Sequence, residues 1–256
     1  MHLSIIIPAY NEEKRLPKTL QEIDSYLRKQ NYPSTDSGQA NYEIIVVSDG
    51  SKDKTAEVVR GLASDVRNLR IIDNKKNHGK GYATRQGLLE AKGEYRIFTD
   101  ADNSTSIDQI EKMLPEFSAS AEGYGGEKGF DIIIGSRDIK GAVLDPPQPL
   151  QRRLTGEAFK LFRKIIIGLW GIQDTQCGFK GFTKKVVEDV FPKCLIDRFA
   201  FDPEILVLTK KKGYKIKEIP VLWKDDPESK VKLKSMINMA IDLLKLRWNL
   251  LTRKYG

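Results

Sequence analysis

The sequence predicts an α/β protein: a mixed, mainly parallel sheet flanked by helices, with an amphipathic helix at the C-terminus. Three observations carry that expectation. Short apolar runs without alternation, such as Leu3–Pro8 and Tyr42–Ser48, read as strands covered on both faces. Stretches with helical apolar spacing stand between them, which implies parallel strands joined by right-handed crossovers. Polar clusters fall where the strands end, and open sheets of this kind hold ligands beyond the carboxyl ends of their strands.

In chain order, the run at 3–8 leads through Ala9-Tyr10-Asn11-Glu12-Glu13 into a helix with Leu16, Leu20, Ile23 and Leu27 on one face. Residues 31–41 are polar, with Pro and Gly, and read as a loop. The strand at 42–48 turns through Asp49-Gly50-Ser51-Lys52-Asp53 into a helix over 55–62. A strand at 69–73, a helix over 78–91 and a strand at 95–99 follow. A helix near 107–117, a Gly/Ser loop at 118–129 and a strand at 130–135 complete the regular part. Asp145-Pro-Pro-Gln-Pro149 then breaks the chain. Residues 150–172 read as one long amphipathic helix, 174–180 as a polar loop entering a short strand, 201–212 as a helix and 214–220 as a strand.

The C-terminal segment spaces apolar residues at 233, 236, 237, 240, 243, 244, 248 and 251, an amphipathic helix with a wide apolar stripe. It is also basic. Residues 230–256 hold seven Lys or Arg against one acid, Asp242, and so carry most of the formal net charge of +8. Such a segment suits an anionic membrane surface, with Trp248 at the interface. The domain expectation is therefore one globular unit over 1–229 and a basic amphipathic helix over 230–256.

Composition narrows the class further. At 256 residues, 40% apolar and 30% charged, the chain fits a folded globular protein. Cys177 and Cys194 lack the number for a disulfide framework and the spacing for a metal site, as expected of thiols in a reducing compartment. The longest uninterrupted apolar run, Ile165–Ile172, is far short of the ~20 residues that span a bilayer. Neither a signal peptide nor a spanning helix is expected. The basic tail lacks the aromatic interleaving of single-strand binders, so no nucleic-acid partner is expected.

Chemistry concentrates at Asp100-Ala101-Asp102, directly after the strand at 95–99. Residues i and i+2 leaving a strand point the same way, so the two carboxylates can converge on one cation. Mg²⁺ and similar hard cations take few carboxylates and complete their shell with water and diphosphate oxygens. An Asp pair also caps helices and starts turns, as the following Asn103-Ser-Thr-Ser106 allows. Two further polar signatures, Tyr10-Asn11-Glu12 and 49–53, are expected at the same sheet edge. Three of them converging there is what points to a site.

Together, SIIIPAYNEE (4–13), VVSDGSKDKT (46–55), NHGKGYATRQG (77–87), TDADNS (99–104), GSR (135–137), DTQCGFK (174–180), FDPEIL (201–206) and ESKVKL (228–233) resemble a family-2 glycosyltransferase of the Rossmann-like GT-A fold. Within that group the pattern is similar to the polyprenyl-phosphate sugar transferases, and DTQCGFK with the ESK segment to their dolichyl-phosphate β-glucosyltransferase branch. Ser104 stands where the mannosyl branch usually has Gln.

The resemblance implies a UDP-sugar donor pocket lined by Pro8, Tyr10, Asn11 and Glu12, with Asp49 at the base edge and Ser51 beside it. It implies Mg²⁺ or Mn²⁺ on Asp102, with Asp100 at the ribose or as an outer metal contact and Ala101 between them. Lys80 and Arg85, in a Gly-flanked turn into a helix, would suit phosphate. Arg137, Arg152, Lys180 and Lys230 would hold the donor diphosphate and a polyprenyl-phosphate acceptor. Asp202 and Glu204 would orient acceptor or sugar, or else serve a helix N-terminus.

The expected reaction is an inverting displacement in which an ionised lipid phosphate attacks the anomeric carbon as UDP leaves, so that no strong general base is needed. The expected location is the cytoplasmic face of a membrane, held through 150–172 and 230–252. Alternatives are a GDP-mannose donor or a saccharide acceptor, which would need Glu204 or Asp202 as base. A non-catalytic nucleotide-sugar-binding protein is a further alternative.

Overall fold

A computed structural model describes residues 2–30, 41–117, 129–146, 150–224 and 233–255, with the backbone alone at 150–155 and 233–236. The first half alternates as expected: β1 (Leu3–Ala9), α1 (Leu16–Lys29), β2 (Tyr42–Asp49), α2 (Thr55–Gly61), β3 (Leu69–Asn74), α3 (Lys80–Glu90), β4 (Tyr95–Thr99) and α4 (Ile110–Phe117). The second half adds β5 (Ile132–Ser136), β6 (Val143–Asp145), α5 (Leu150–Ile167), β7 (Phe179–Thr183), α6 (Lys184–Val190), α7 (Phe201–Lys211), β8 (Ile216–Pro220), β9 (Leu222–Lys224) and α8 (Leu233–Leu251).

Seven strands form one sheet in the order β3-β2-β1-β4-β7-β5-β8, and β6 pairs with β9 beside it. Strand β7 runs antiparallel to both β4 and β5, while the other pairings in the sheet are parallel. The reversed strand has a functional consequence. The start of β7, with the 174–178 loop that feeds it, joins the edge where β1, β2, β4 and β5 end. The strand order also reverses between β1 and β4, the place where open α/β sheets open a ligand crevice.

The lack of alternation in the strands has its reason in two cores, one on each face. Ile6, Ile45, Val47, Phe98, Ile132 and Ile134 face a cluster shared with α3, α6, α7 and α8. Their neighbours Leu3, Ile5, Ile7, Ile44, Val46, Ile97 and Ile133 face one shared with α1 and α4. All of these strand residues are fully buried, each contributing roughly 2 kcal/mol relative to exposure. Helix α8 belongs to this body through Leu243 and Leu246, both fully buried.

Three expectations need correction. The helix expected over 150–172 ends at Ile167, because Gly168 takes φ +71° and donates its N–H to Lys164 O, a left-handed helix stop. A helix not foreseen, α6, is capped by Thr183, whose hydroxyl accepts from Val186 N. The expected strands 130–135 and 214–220 begin two residues later, at Ile132 and Ile216.

Candidate active site

The ends of β1 and β2 are tied together by short polar residues. Asn11 adopts φ +55°, donates its N–H to Ser51 Oγ at 3.1 Å and accepts from Lys52 N at 2.8 Å. Glu12 N donates to Thr55 Oγ1 (2.8 Å), and the Glu12 carboxylate takes a two-point ion pair from Arg15 at 2.6 and 2.8 Å. Pro8 is buried in β1 opposite Val47. Tyr10 is 37% exposed at the sheet edge, with Asn11, Glu12 and Ser51 about it in the same pair of loops.

Asp49 has a different partner from the expected base edge. Both of its oxygens accept backbone N–H groups, from His78 (3.0 and 3.1 Å) and Gly79 (2.7 Å). The carboxylate thereby pins the 77–79 loop that starts α3. Gly79 there has φ +116° and lies so close to Asp197 O that a Cβ would stand 2.4 Å from it.

The two carboxylates after β4 sit in unlike surroundings. Asp100 is half-buried, accepts the Lys80 ammonium at 2.6 Å and donates its N–H to Gly178 O at 3.1 Å. Ala101 is buried, and its carbonyl accepts from Thr19 Oγ1 (2.8 Å), fixing the turn. Asp102 accepts from Ser104 N (3.0 Å), and among the described residues no cation pairs with it. Burial, followed by the like charge of Asp100, raises its carboxyl above the usual range. A hard carboxylate pair with excess negative charge is a donor set that fits a divalent cation. Among the described residues no third His, Cys, Asp or Glu completes a cage, so most of the shell would come from solvent and diphosphate.

Behind Asp100 lies a buried charge cluster around the Phe98 ring. The ammoniums of Lys80 and Lys180 stand 5.3 and 5.6 Å from that ring's centroid. Lys180 is 1% exposed and donates to Asp202 Oδ1 and to Cys177 O, each at 2.5 Å. Asp202 is itself buried; desolvation raises its carboxyl, opposed by Lys180 and Lys80. Lys80 is held above the ordinary amine value because Asp100, Asp202 and Asp102 outweigh its desolvation.

Arg137, just past β5, grips Asp174 with Nε (2.7 Å), Nη2 (3.0 Å) and its own backbone N–H (3.1 Å). Its ring neighbour is Trp223, with the guanidinium carbon 5.5 Å from the centroid. Asp174 is itself buried, its side chain 3% exposed, and although burial opposes it, Arg137 holds its carboxyl well below the usual range.

Several expected site residues are brought together: Pro8, Tyr10, Asn11, Glu12, Ser51, Asp100, Asp102, Lys80 and Asp202 frame one edge of the sheet. Others are turned to different work. Glu204 is fully buried and accepts from Leu195 N (2.9 Å), Ile196 N (3.0 Å) and Tyr255 OH (2.7 Å), so it anchors the loop before α7 rather than facing a substrate. Arg85, expected at phosphate, donates instead to Asp197 (2.6 Å) and Cys194 O (3.1 Å). Lys180 is likewise sealed against Asp202 rather than presented to a phosphate. The side chain of Arg152 and the whole of Lys230 lie outside the described residues.

Sequence reasoning missed Gly178, Asp174 as the partner of Arg137, and Tyr255. The signal for the first two was present in DTQCGFK, a polar loop with a glycine immediately before a strand. Nothing local marked Tyr255.

Comparison with known proteins follows the same lines. A family model described as "Glycosyl transferase family 2" matches residues 4–191. A dolichyl-phosphate beta-glucosyltransferase of Trichomonas vaginalis is 38% identical over 96% of this chain and 71% of its own length. The dolichyl-phosphate beta-glucosyltransferase of Homo sapiens is 35% identical over 98% of this chain and 76% of its own. Among solved structures, mannosyl-3-phosphoglycerate synthase from Rubrobacter xylanophilus superposes with a TM-score of 0.66 at 15% identity, covering 99% of this chain and 75% of that one. That last likeness is one of fold, the GT-A fold.

Proposed function

The chain belongs to glycosyl transferase family 2, and from that premise we propose that it transfers glucose from UDP-glucose to a polyprenyl or dolichyl phosphate with inversion. The observation that carries the reading is identity of 35–38% with dolichyl-phosphate beta-glucosyltransferases along nearly the whole chain, joined to an intact Asp100-Ala101-Asp102 at the strand-order reversal.

In this reading Tyr10, Asn11, Glu12 and Ser51 border the nucleoside, and Asp49 acts indirectly by holding the 77–79 loop. A Mg²⁺ or Mn²⁺ ion held by Asp102, with Asp100 beside it, would supply charge neutralisation to the departing diphosphate. Asp202, fixed by Lys180, places fixed charge behind the sugar-binding edge. Arg137, oriented by Asp174, offers a positioned cation to a phosphate. An acceptor phosphate is ionised at neutral pH, with a second pKa of about 6, so the engagement of Glu204 elsewhere leaves the chemistry without a missing base.

A lipid acceptor requires the protein to meet a membrane. Helix α8 exposes Ile237, Ile241, Leu244, Trp248 and Leu251, all on one side, while Leu243 and Leu246 pack inward. Leu161 and Ile165 of α5 and Trp170 just after it add to the exposed apolar surface. Lys245, Arg247, Arg253 and Lys254 are exposed beside it. A cavity of about 400 Å³ between the end of α5, α7 and α8 is lined by Ile167, Leu169, Val207 and Leu250 together with Lys210, Lys211 and Arg247. No helix among the described residues is long and apolar enough to cross a membrane. These features support peripheral contact with an anionic cytoplasmic leaflet through α8 and the end of α5.

The test is transfer of radiolabelled sugar from UDP-glucose into polyprenyl phosphate, with GDP-mannose and UDP-GlcNAc in parallel, with and without EDTA. Organic-phase label that depends on UDP-glucose, is lost with EDTA and is lost in Asp102→Ala is the expected result. Donor binding without lipid product would redirect the assignment to a saccharide acceptor. No binding of any of the three donors would overturn it.

A further inference from the structure

The unlike treatment of the two carboxylates in Asp100-Ala101-Asp102 has a meaning for how the site fills. Asp100 already has a cation: the Lys80 ammonium at 2.6 Å from Oδ1. Its other oxygen is backed by Gly178, so closely that a Cβ there would stand 1.8 Å from Oδ2. Asp102 has no such partner among the described residues. A divalent ion arriving alone therefore meets one available carboxylate and a fixed positive charge beside the second. Like charges repel at these separations in a partly buried site, and one carboxylate with water is a weak ligand set for a hard cation. A diphosphate changes both conditions, because its oxygens ligate the metal and offer the ammonium another anion.

Resting on the transferase reading above, we infer that Lys80 is a resident counter-ion of Asp100 that keeps the empty site from holding a divalent cation by itself, so that metal and nucleoside diphosphate are taken up together. Lys80 stays beside Asp100 because it is boxed in. It sits at the first position of α3, near the Phe98 ring, and the Lys180 ammonium that pairs with Asp202 lies near that same ring. By linkage, whatever factor UDP adds to metal affinity the metal adds to UDP affinity.

The experiment is Mn²⁺ binding to the full chain, followed by the electron paramagnetic resonance signal of free Mn²⁺, without and with saturating UDP. Wild type is expected to bind Mn²⁺ at least tenfold more tightly with UDP than without. Lys80→Met is expected to bind Mn²⁺ alone at least tenfold more tightly than wild type, with the UDP effect reduced by a similar factor, and Lys80→Arg to keep the wild-type pattern. Unchanged or weaker Mn²⁺ binding by folded Lys80→Met overturns the inference.

Should Lys80→Met fail to fold, Lys80→Gln decides: metal-alone affinity at least tenfold tighter than wild type supports the counter-ion, and affinity within threefold of wild type overturns it. If wild type binds no Mn²⁺ with UDP, the transferase reading falls and takes this inference with it. Intact UDP-dependent binding with an unaltered Lys80→Met removes the inference alone.

Discussion

Gly178 and Asp100 are in contact across the sheet edge, backbone against carboxylate. The Gly178 carbonyl accepts from Asp100 N at 3.1 Å, and a Cβ on residue 178 would meet Asp100 Oδ2 at 1.8 Å and Cγ at 2.3 Å. The antiparallel insertion of β7 creates this contact, since it brings residue 178 beside the end of β4. The glycine is required by close approach, its φ lying outside the left-handed region.

Gly178→Ala is therefore expected to displace the Asp100 carboxylate. The protein should remain folded with a cost of about 1–3 kcal/mol for overpacking, while metal-dependent UDP binding falls at least tenfold. Calorimetric titration of UDP with Mn²⁺, alongside a thermal melt, checks both. Unchanged UDP binding would show that Asp100 is not needed where it stands.

Tyr255 and Glu204 tie the end of the chain to the loop before α7. Tyr255→Phe should cost about 1 kcal/mol, the net worth of one hydrogen bond, because Leu195 N and Ile196 N still satisfy the carboxylate. Glu204→Ala strands both N–H groups and should cost about 3 kcal/mol or more. Denaturant unfolding measures the two. Full stability in Glu204→Ala together with lost turnover would return Glu204 to the chemistry.

The Arg137–Asp174 pair should leave its mark in acid. Burial resists the charge on Asp174, yet Arg137 and the backbone donors win and lower its pKa below the 3.8 of an unperturbed Asp. A lowered folded pKa means stability that is fully present above 3.8 and lost as pH falls towards the folded value. The stability gap between wild type and Asp174→Asn is thus expected to be constant between pH 5 and pH 8, on the order of 2 kcal/mol, and to close below pH 4. Thermal melts across that range test it; a gap that widens in acid would contradict the sign.

Lys180 and Asp202 are buried together, so losing one partner should hurt more than losing both. Asp202→Leu alone leaves an uncompensated buried ammonium and should cost about 3–5 kcal/mol, whereas Lys180→Met with Asp202→Leu should recover much of that. A double-mutant cycle on stability reads the coupling directly. Additive effects would mean that the two groups do not sense each other.

The exposed face of α8 should govern membrane contact. Trp248→Ser with Ile241→Ser removes two of its apolar residues without touching buried Leu243 or Leu246. Binding to vesicles containing phosphatidylserine should weaken at least tenfold, with melting temperature unchanged, and high salt should weaken what remains. Equal sedimentation of variant and wild type would rule this face out.

Much of the architecture was legible because it depends on local pattern. Ile5, Ile6 and Ile7 in succession, β-branched and without alternation, read as a strand buried on two faces, and the Asp100-Ala101-Asp102 spacing at a strand end marks two carboxylates at one sheet edge. Tertiary structure alone decided what each charge would meet. Lys180, Arg85, Asp49 and Glu204 carry the residue types of a phosphate- or substrate-binding site, yet each is claimed by a partner between 8 and 112 positions away in sequence. The direction of β7, and with it the contact of Gly178 with Asp100 and the grip of Asp174 on Arg137, follows from strand pairing. Burial then selects: a charge removed from water must be paired, and which partner it finds depends on the fold bringing distant segments within about 3 Å.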